Sequence, residues 1–226
     1  MPLVGKFKAV LFDLGGTLIE SLNPAEVHRK ILEFHGVKVS SNDIAKAISA
    51  NQERHDPREM AKLGKTYWVK WNLKILEQLG IEENREFLAE KIDELWFEYD
   101  NVKAYPDVIE TIRKLKARGI RLGIVTNWLG GEFTQILRKL NLTDYFDVIV
   151  GADARRKAKP DKEIFLYAIS KLRVRPEEAI FVGDSAKYDC EGARKAGLKP
   201  LLIDRNGRSA TKFETITSLT ELLKYV

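Results

Sequence analysis

The run Lys8-Ala9-Val10-Leu11-Phe12 ends on Asp13, and Leu14-Gly15-Gly16-Thr17 follows at once. An aspartate at the carboxyl end of a buried parallel strand, with a glycine-rich turn behind it, stands where α/β sheets gather their ligands. A carboxylate there can serve as nucleophile, as metal ligand or as both, and it can also do no more than cap a turn. Three further polar signals lie along the chain: Thr126-Asn127, Lys159-Pro160, and Gly183-Asp184 through Asp189. Each is weak alone. If all four follow strands of one parallel sheet, they face the same edge, and a nucleophile, a hydroxyl, an ammonium group and two more carboxylates converge there.

The elements needed to position them can be read from the apolar pattern. Short runs at 9–12, 122–125, 148–150, 179–182 and 201–203 are rich in Val, Ile and Leu and read as buried parallel strands. Between the later runs, Val108, Ile109, Ile112 and Leu115 form one helical stripe. Phe133, Ile136, Leu137 and Leu140 form a second, and Ile164, Phe165, Ala168, Ile169 and Leu172 a third. Alternating strand and helix predict right-handed crossovers and an α/β, Rossmann-like, doubly wound parallel sheet. Residues 21–101 break the rhythm with helical patterns alone, among them Val27, Ile31, Leu32 and Phe34, and Phe87, Leu88, Ile92, Leu95 and Trp96. We read this as an all-helical domain inserted after the first strand, with residues 1–20 and 102–226 forming the sheet domain. Trp68, Trp71 and Trp96 lie in the insert and are expected to pack in its core.

Composition bounds the remaining choices. A chain of 226 residues with 44% hydrophobic residues can bury a sizeable core. Its 31% charged residues, one Cys and two Met resemble thermophile usage. With Cys190 alone, no intrachain disulfide can form and a cysteine-based zinc site is disfavoured. The 38 basic against 33 acidic groups give +5, spread along the chain, which reads as a solvated basic surface and suits an anionic small substrate better than nucleic acid. Met1 to Gly5 carries no long apolar leader core, and nowhere do 18 apolar residues run uncharged, so a cytoplasmic protein without a membrane partner is expected.

The chain resembles the haloacid dehalogenase superfamily, the phosphoaspartyl-forming phosphatases and their relatives, over essentially its whole length. The resemblance rests on Phe12 through Leu18, Val125-Thr126-Asn127, Lys159 through Phe165, and Val182-Gly183-Asp184 through Asp189, in that order. It implies Asp13 as nucleophile, and it implies that the helical insert is a cap that closes over the strand ends and chooses a small phosphorylated substrate. A phosphate dianion repels a carboxylate, so the attack requires positive charge around the phosphoryl group. Mg²⁺ would supply it, held by Asp13, the carbonyl of Gly15, Asp184 and Asp189. Lys159, placed like the family lysine, would neutralise Asp13 and the phosphoryl oxygens, while the Thr126 hydroxyl and the Asn127 backbone N–H would hold those oxygens. Asp189 has the alternative of capping the helix that carries Gly192, Ala193 and Ala196.

The departure is Gly15. Phosphatases of the family carry a second aspartate two residues past the nucleophile, which protonates the leaving oxygen and later activates water. Such groups are worth roughly 10² to 10⁴ in rate. Alkyl phosphates are therefore expected to turn over slowly, and aryl or acyl phosphates to suffer less. Glu20 and His28 stand near enough in sequence to be considered as replacements, although both read better as surface or hinge residues. Three alternatives stay open: a 2-haloacid dehalogenase, a sugar-phosphate mutase, and a catalytically weak binding or regulatory protein. Arg155 and Arg156 read as an exposed loop, Trp128 as either the mouth of the site or packing beneath the cap, and the chain as monomer or homodimer.

Overall fold

The computed structural model describes residues 7–52, 55–207 and 211–226. Residues 1–5, which bear on the leader segment, lie outside them. The chain forms two compact units, Met1–Glu20 with Lys103–Val226, and Ser21–Val102.

The first unit is built on β1 (Ala9–Phe12), whose four residues are all buried because strands pair on both edges and helices cover both faces. The two-residue β2 (Ile19–Glu20) follows it. After the helical unit the chain returns through β3 (Lys103–Ala104), antiparallel to β2, and runs on into helix α6 (Val108–Ala117), once the helices of the other unit have taken α1 to α5. Then come β4 (Arg121–Val125), α7 (Gly130–Lys139), β5 (Val148–Val150), α8 (Lys162–Leu172), β6 (Ala179–Gly183), α9 (Glu191–Lys195), β7 (Lys199–Ile203) and β8 (Thr215–Ile216). The large sheet has the order β5-β4-β1-β6-β7-β8, and every pairing in it is parallel.

All five sequence-read strands appear, each within two residues of its expected ends. The stripe on α8 packs as its spacing requires: Ile164, Phe165, Ala168, Ile169 and Leu172 meet Ala9, Leu11 and Phe181. Phe165 and Phe181 stand edge to face at 4.9 Å. Register brings the strand ends level, since Phe12 lies opposite both Ile124 and Val182. The next residue stays attached to the sheet, Asp13 N–H donating to the Val182 carbonyl at 2.8 Å.

A half-buried ion pair ties the segments around the β1 loop together. Arg205 meets Asp107 with two parallel N–H bonds at 3.0 and 3.1 Å and donates a third to the Thr17 carbonyl at 2.6 Å. Its guanidinium lies 3.7 Å from the Tyr105 ring centre. Asp107 in turn accepts from Ser218 Oγ and the Leu219 N–H, which docks the C-terminal segment. Both side chains are about 15% exposed, so removing one leaves the other's charge nearly dry. Asp107→Ala is expected to lower the unfolding free energy by about 3 kcal/mol, read from urea denaturation. A loss under about 1 kcal/mol would mean that water already services this pair.

The second unit is helical: α1 (Pro24–Phe34), α2 (Ser41–Gln52), α3 (Pro57–Leu63), α4 (Lys65–Gln78) and α5 (Arg85–Tyr99). Asn23 and Asp56 cap α1 and α3 through backbone N–H groups two residues on, with Pro in the first turn of each. Val27, Ile31, Leu32, Ile44, Leu76, Leu88 and Ile92 make the core. Phe34 and Phe87, assigned by spacing to apolar stripes, are instead 68% and 48% exposed. They sit in the last turn of α1, beside the His35 and Tyr99 rings, and in the first turn of α5, beside His35. The three tryptophans are half-buried, and of these Trp96 packs against the helical core. Trp68 and Trp71 group with His55 and Tyr67, and Trp96 stands edge to face on His28.

His28 also departs from its reading as a surface or hinge residue. It is buried, with Nδ1 at 2.8 Å from the Pro24 carbonyl and Nε2 at 3.3 Å from Asn72 Oδ1, and Asn72 donates to the Ala89 carbonyl. The imidazole thus joins α1 to α4 and α5, and burial holds its pKa below the usual 6.5. Among the described residues, no helix is long and apolar enough to cross a membrane.

Candidate active site

The loop after β1 is a tight turn in which Gly16 N–H reaches the Ile19 carbonyl and Leu18 and Ile19 both return to the Leu14 carbonyl. Gly16 sits at φ +72°, and a Cβ there would fall 2.4 Å from Asp184 Oδ2. A larger residue would therefore expel that carboxylate from the turn. Gly183, at the end of β6, plays the same part for Asp189: a Cβ at 183 would lie 2.3 Å from its Cγ. Two glycines thus make the room in which two of the carboxylates stand.

Asp189 belongs to a single π-helical turn over Ala186–Cys190, opened by Ser185. Its Oδ2 accepts the Ser185 N–H at 2.9 Å and its Oδ1 accepts from Lys159 Nζ at 2.6 Å. The carboxylate is occupied here and does not cap α9. Lys159 Nζ also donates to Asp13 Oδ1, at 2.5 Å, and lies 5.6 Å from the Phe181 ring centre. Asp13, Lys159 and Asp189 are buried together, while Asp184 is open to solvent. One oxygen of each of Asp13, Asp184 and Asp189 lies within 4.8 Å of the others.

Asn127 works through its side chain. Oδ1 accepts the Lys159 backbone N–H at 2.7 Å and Nδ2 donates to the Lys159 carbonyl at 3.2 Å, a two-point clamp that fixes where the lysine leaves its loop. Thr126 is buried at the end of β4, with Oγ1 accepting the Trp128 N–H. Arg155 and Arg156 are exposed, with Arg155 over the Tyr167 ring. Glu20 is exposed in the β2–β3 ribbon.

The electrostatics favour a cation. Burial is the main cause that lifts the Asp13 carboxyl from 3.8 to about 7, with Asp189 and Asp184 adding to it and Lys159 opposing. Asp184, despite its open face, is raised to about 6, first by the protein that displaces water beside it and then by Asp189. Burial alone would lower Lys159, but the charges of Asp13 and Asp189 outweigh it and keep the ammonium above the usual lysine range. Cys190, next to Asp189, is pushed up to about 12 by burial and stays a thiol.

A cluster of hard oxygen donors suits Mg²⁺ or a similar ion, and soft or nitrogen-preferring metals less. A divalent ion must displace the protons that Asp13 and Asp184 hold at low pH. Its affinity is therefore expected to rise about tenfold per pH unit between about pH 6 and 7 and to flatten above, with proton uptake by buffer in calorimetry. Affinity constant from pH 5.5 to 8 would contradict the assignment of these carboxylates.

Comparison with known proteins shows the family. The chain belongs to the haloacid dehalogenase-like hydrolases, whose family model matches residues 7–197. It is similar to the glyceraldehyde 3-phosphate phosphatase of Methanopyrus kandleri, 31% identical over 210 residues that cover 88% of this chain and 84% of that one. It is equally similar to the phosphoglycolate phosphatase of Aquifex aeolicus, 31% identical over 198 residues, covering 86% and 84%. Among solved structures, a putative β-phosphoglucomutase from Thermotoga maritima superposes with a TM-score of 0.78 at 25% identity, covering 97% of this chain and all 100% of that one.

Proposed function

We propose that the chain is a Mg²⁺-dependent phosphatase that acts on a small phosphorylated metabolite through an aspartyl phosphate on Asp13. The observation that carries this reading is the charge at the strand ends. Three carboxylates and one ammonium leave a formal charge of −2, which one divalent cation balances. Asp13, the Gly15 carbonyl and Asp184 would hold the ion, with Asp189 holding Lys159 and supporting them. When bound, the ion would draw charge from the phosphoryl oxygens.

The chain's own residues do the rest. Lys159 keeps one oxygen of Asp13 in place, and the other attacks phosphorus. The Thr126 hydroxyl and the Asn127 N–H steady the phosphoryl oxygens as the bond to the leaving oxygen breaks. With Gly at 15 the departing oxygen takes its proton from solvent, and water then attacks phosphorus to return Asp13 as a carboxylate with release of phosphate. The names of the relatives, which describe phosphatases of glyceraldehyde 3-phosphate and of phosphoglycolate, support a small substrate.

The test is to quench turnover of p-nitrophenyl phosphate with acid and map the trapped phosphoryl group. Label on Asp13, dependent on Mg²⁺, supports the proposal. Halide release from a 2-haloacid without any phosphatase activity would replace it with dehalogenase chemistry.

A further inference from the structure

Gly15 is not a glycine for the sake of the turn. Its φ is not in the left-handed region, unlike that of Gly16, so the backbone admits any residue there. What crowds a side chain there is Trp128. A Cβ at 15 would stand 3.2 Å from Cζ2 of that indole, with Cε2 at 3.8 Å and Cη2 at 4.0 Å. The benzo edge of the ring thus lies directly against the place where a side chain two residues past Asp13 would begin. The backbone of Trp128 is fixed, since its N–H is bonded to Thr126 Oγ1 and its carbonyl accepts the Ala152 N–H. The residue is half-buried.

A phosphoryl group over Asp13 and Lys159 must send its organic part away from the sheet edge, past the loops that carry Gly15 and Trp128. From this we infer that Trp128 is the specificity-determining residue for the leaving group, and that it selects phosphate monoesters of flat, apolar alcohols such as phenols. The inference rests on the phosphatase reading above and narrows its substrate. Two physical effects agree on this class. An indole stacks on a planar ring, whereas polyol hydroxyls beyond the reach of its single N–H lose their water against it. A leaving group of low basicity needs no proton, and position 15 carries none to give.

The two effects separate when p-nitrophenyl phosphate is compared with acetyl phosphate, because both leaving groups depart unprotonated and one of them has a ring. Trp128→Ala is expected to lower the ratio of kcat/KM for p-nitrophenyl phosphate over acetyl phosphate by about three- to tenfold, chiefly through KM for the aryl ester. Trp128→Phe should return the ratio to within about twofold. Gly15→Ala, which presses a methyl group on the ring, should lower the same ratio, and should do so far less when Trp128 is already Ala. An unchanged ratio in Trp128→Ala, a Phe variant no better than Ala, or additive effects of the two sites would each overturn the inference. Asp13→Asn, run alongside, tells the failures apart. If it hydrolyses both esters at the natural rate, the phosphatase reading has failed. If it hydrolyses neither while the ratio ignores residue 128, this inference alone has failed.

Discussion

Asp13→Asn is expected to lower turnover of p-nitrophenyl phosphate by roughly 10³-fold or more while the protein stays folded. The amide matches the carboxylate in shape and its oxygen can still accept from Lys159, so the packing at the end of β1 survives. What it lacks is the charge and basicity of an oxygen that can bond to phosphorus. Stability makes the result interpretable. The Asp13 carboxyl is raised in the fold, from 3.8 to about 7, and an acid so raised costs stability progressively as pH climbs from about 4 to 7. Without metal at pH 8, the Asn variant should therefore be at least as stable as the natural protein. A variant with more than a tenth of natural activity would sink the nucleophile assignment; a variant that unfolds would sink the account of the buried charge.

Lys159→Gln is expected to lose both activity and stability. Its ammonium bonds two carboxylates at once, and the side chains of Lys159 and Asp189 are 3% and 1% exposed. Breaking a buried pair by removing one partner costs about 3–5 kcal/mol, because the remaining charge has neither water nor a counter-ion. Activity should fall about 10²- to 10³-fold, as when one preorganised donor at a developing charge is lost. The stability deficit has a sign that can be checked. With the lysine gone, Asp13 loses the charge that opposes its protonation in the fold, so the deficit grows as pH rises above about 4. Denaturation midpoints at pH 5 and pH 8 read this directly, and Mg²⁺ should recover more stability in the variant than in the natural chain. A deficit that is equal at the two pH values would mean that the loss is one of packing.

The parts of this molecule that were legible in its sequence are those fixed by burial on a regular period. The run at 9–12 reads as a strand because both its faces and both its edges are covered, and α8 reads as a helix because its stripe meets β1 and β6. The β2–β3 ribbon and β8 were not legible, since two residues cannot show alternation. Phe34 and Phe87 fit the helical period but lie at helix ends, where matching the period does not bury them. Asp13, Lys159, Asp184 and Asp189 could be found as strand-end signals. The other roles depend on contacts between segments far apart in sequence. Nothing local shows that the amide of Asn127 clamps the backbone of Lys159, or that His28 is locked to Asn72.

The contact between Trp128 and residue 15 also bears on redesign. An aspartate at 15 would bring its Cβ to 3.2 Å from Trp128 Cζ2, so the ring must give by a few tenths of an ångström to admit it. Gly15→Asp alone pays a steric penalty before it can deliver a proton, and shrinking Trp128 alone opens a gap with nothing to fill it. The two positions are therefore expected to respond as a pair, each setting what the other can carry.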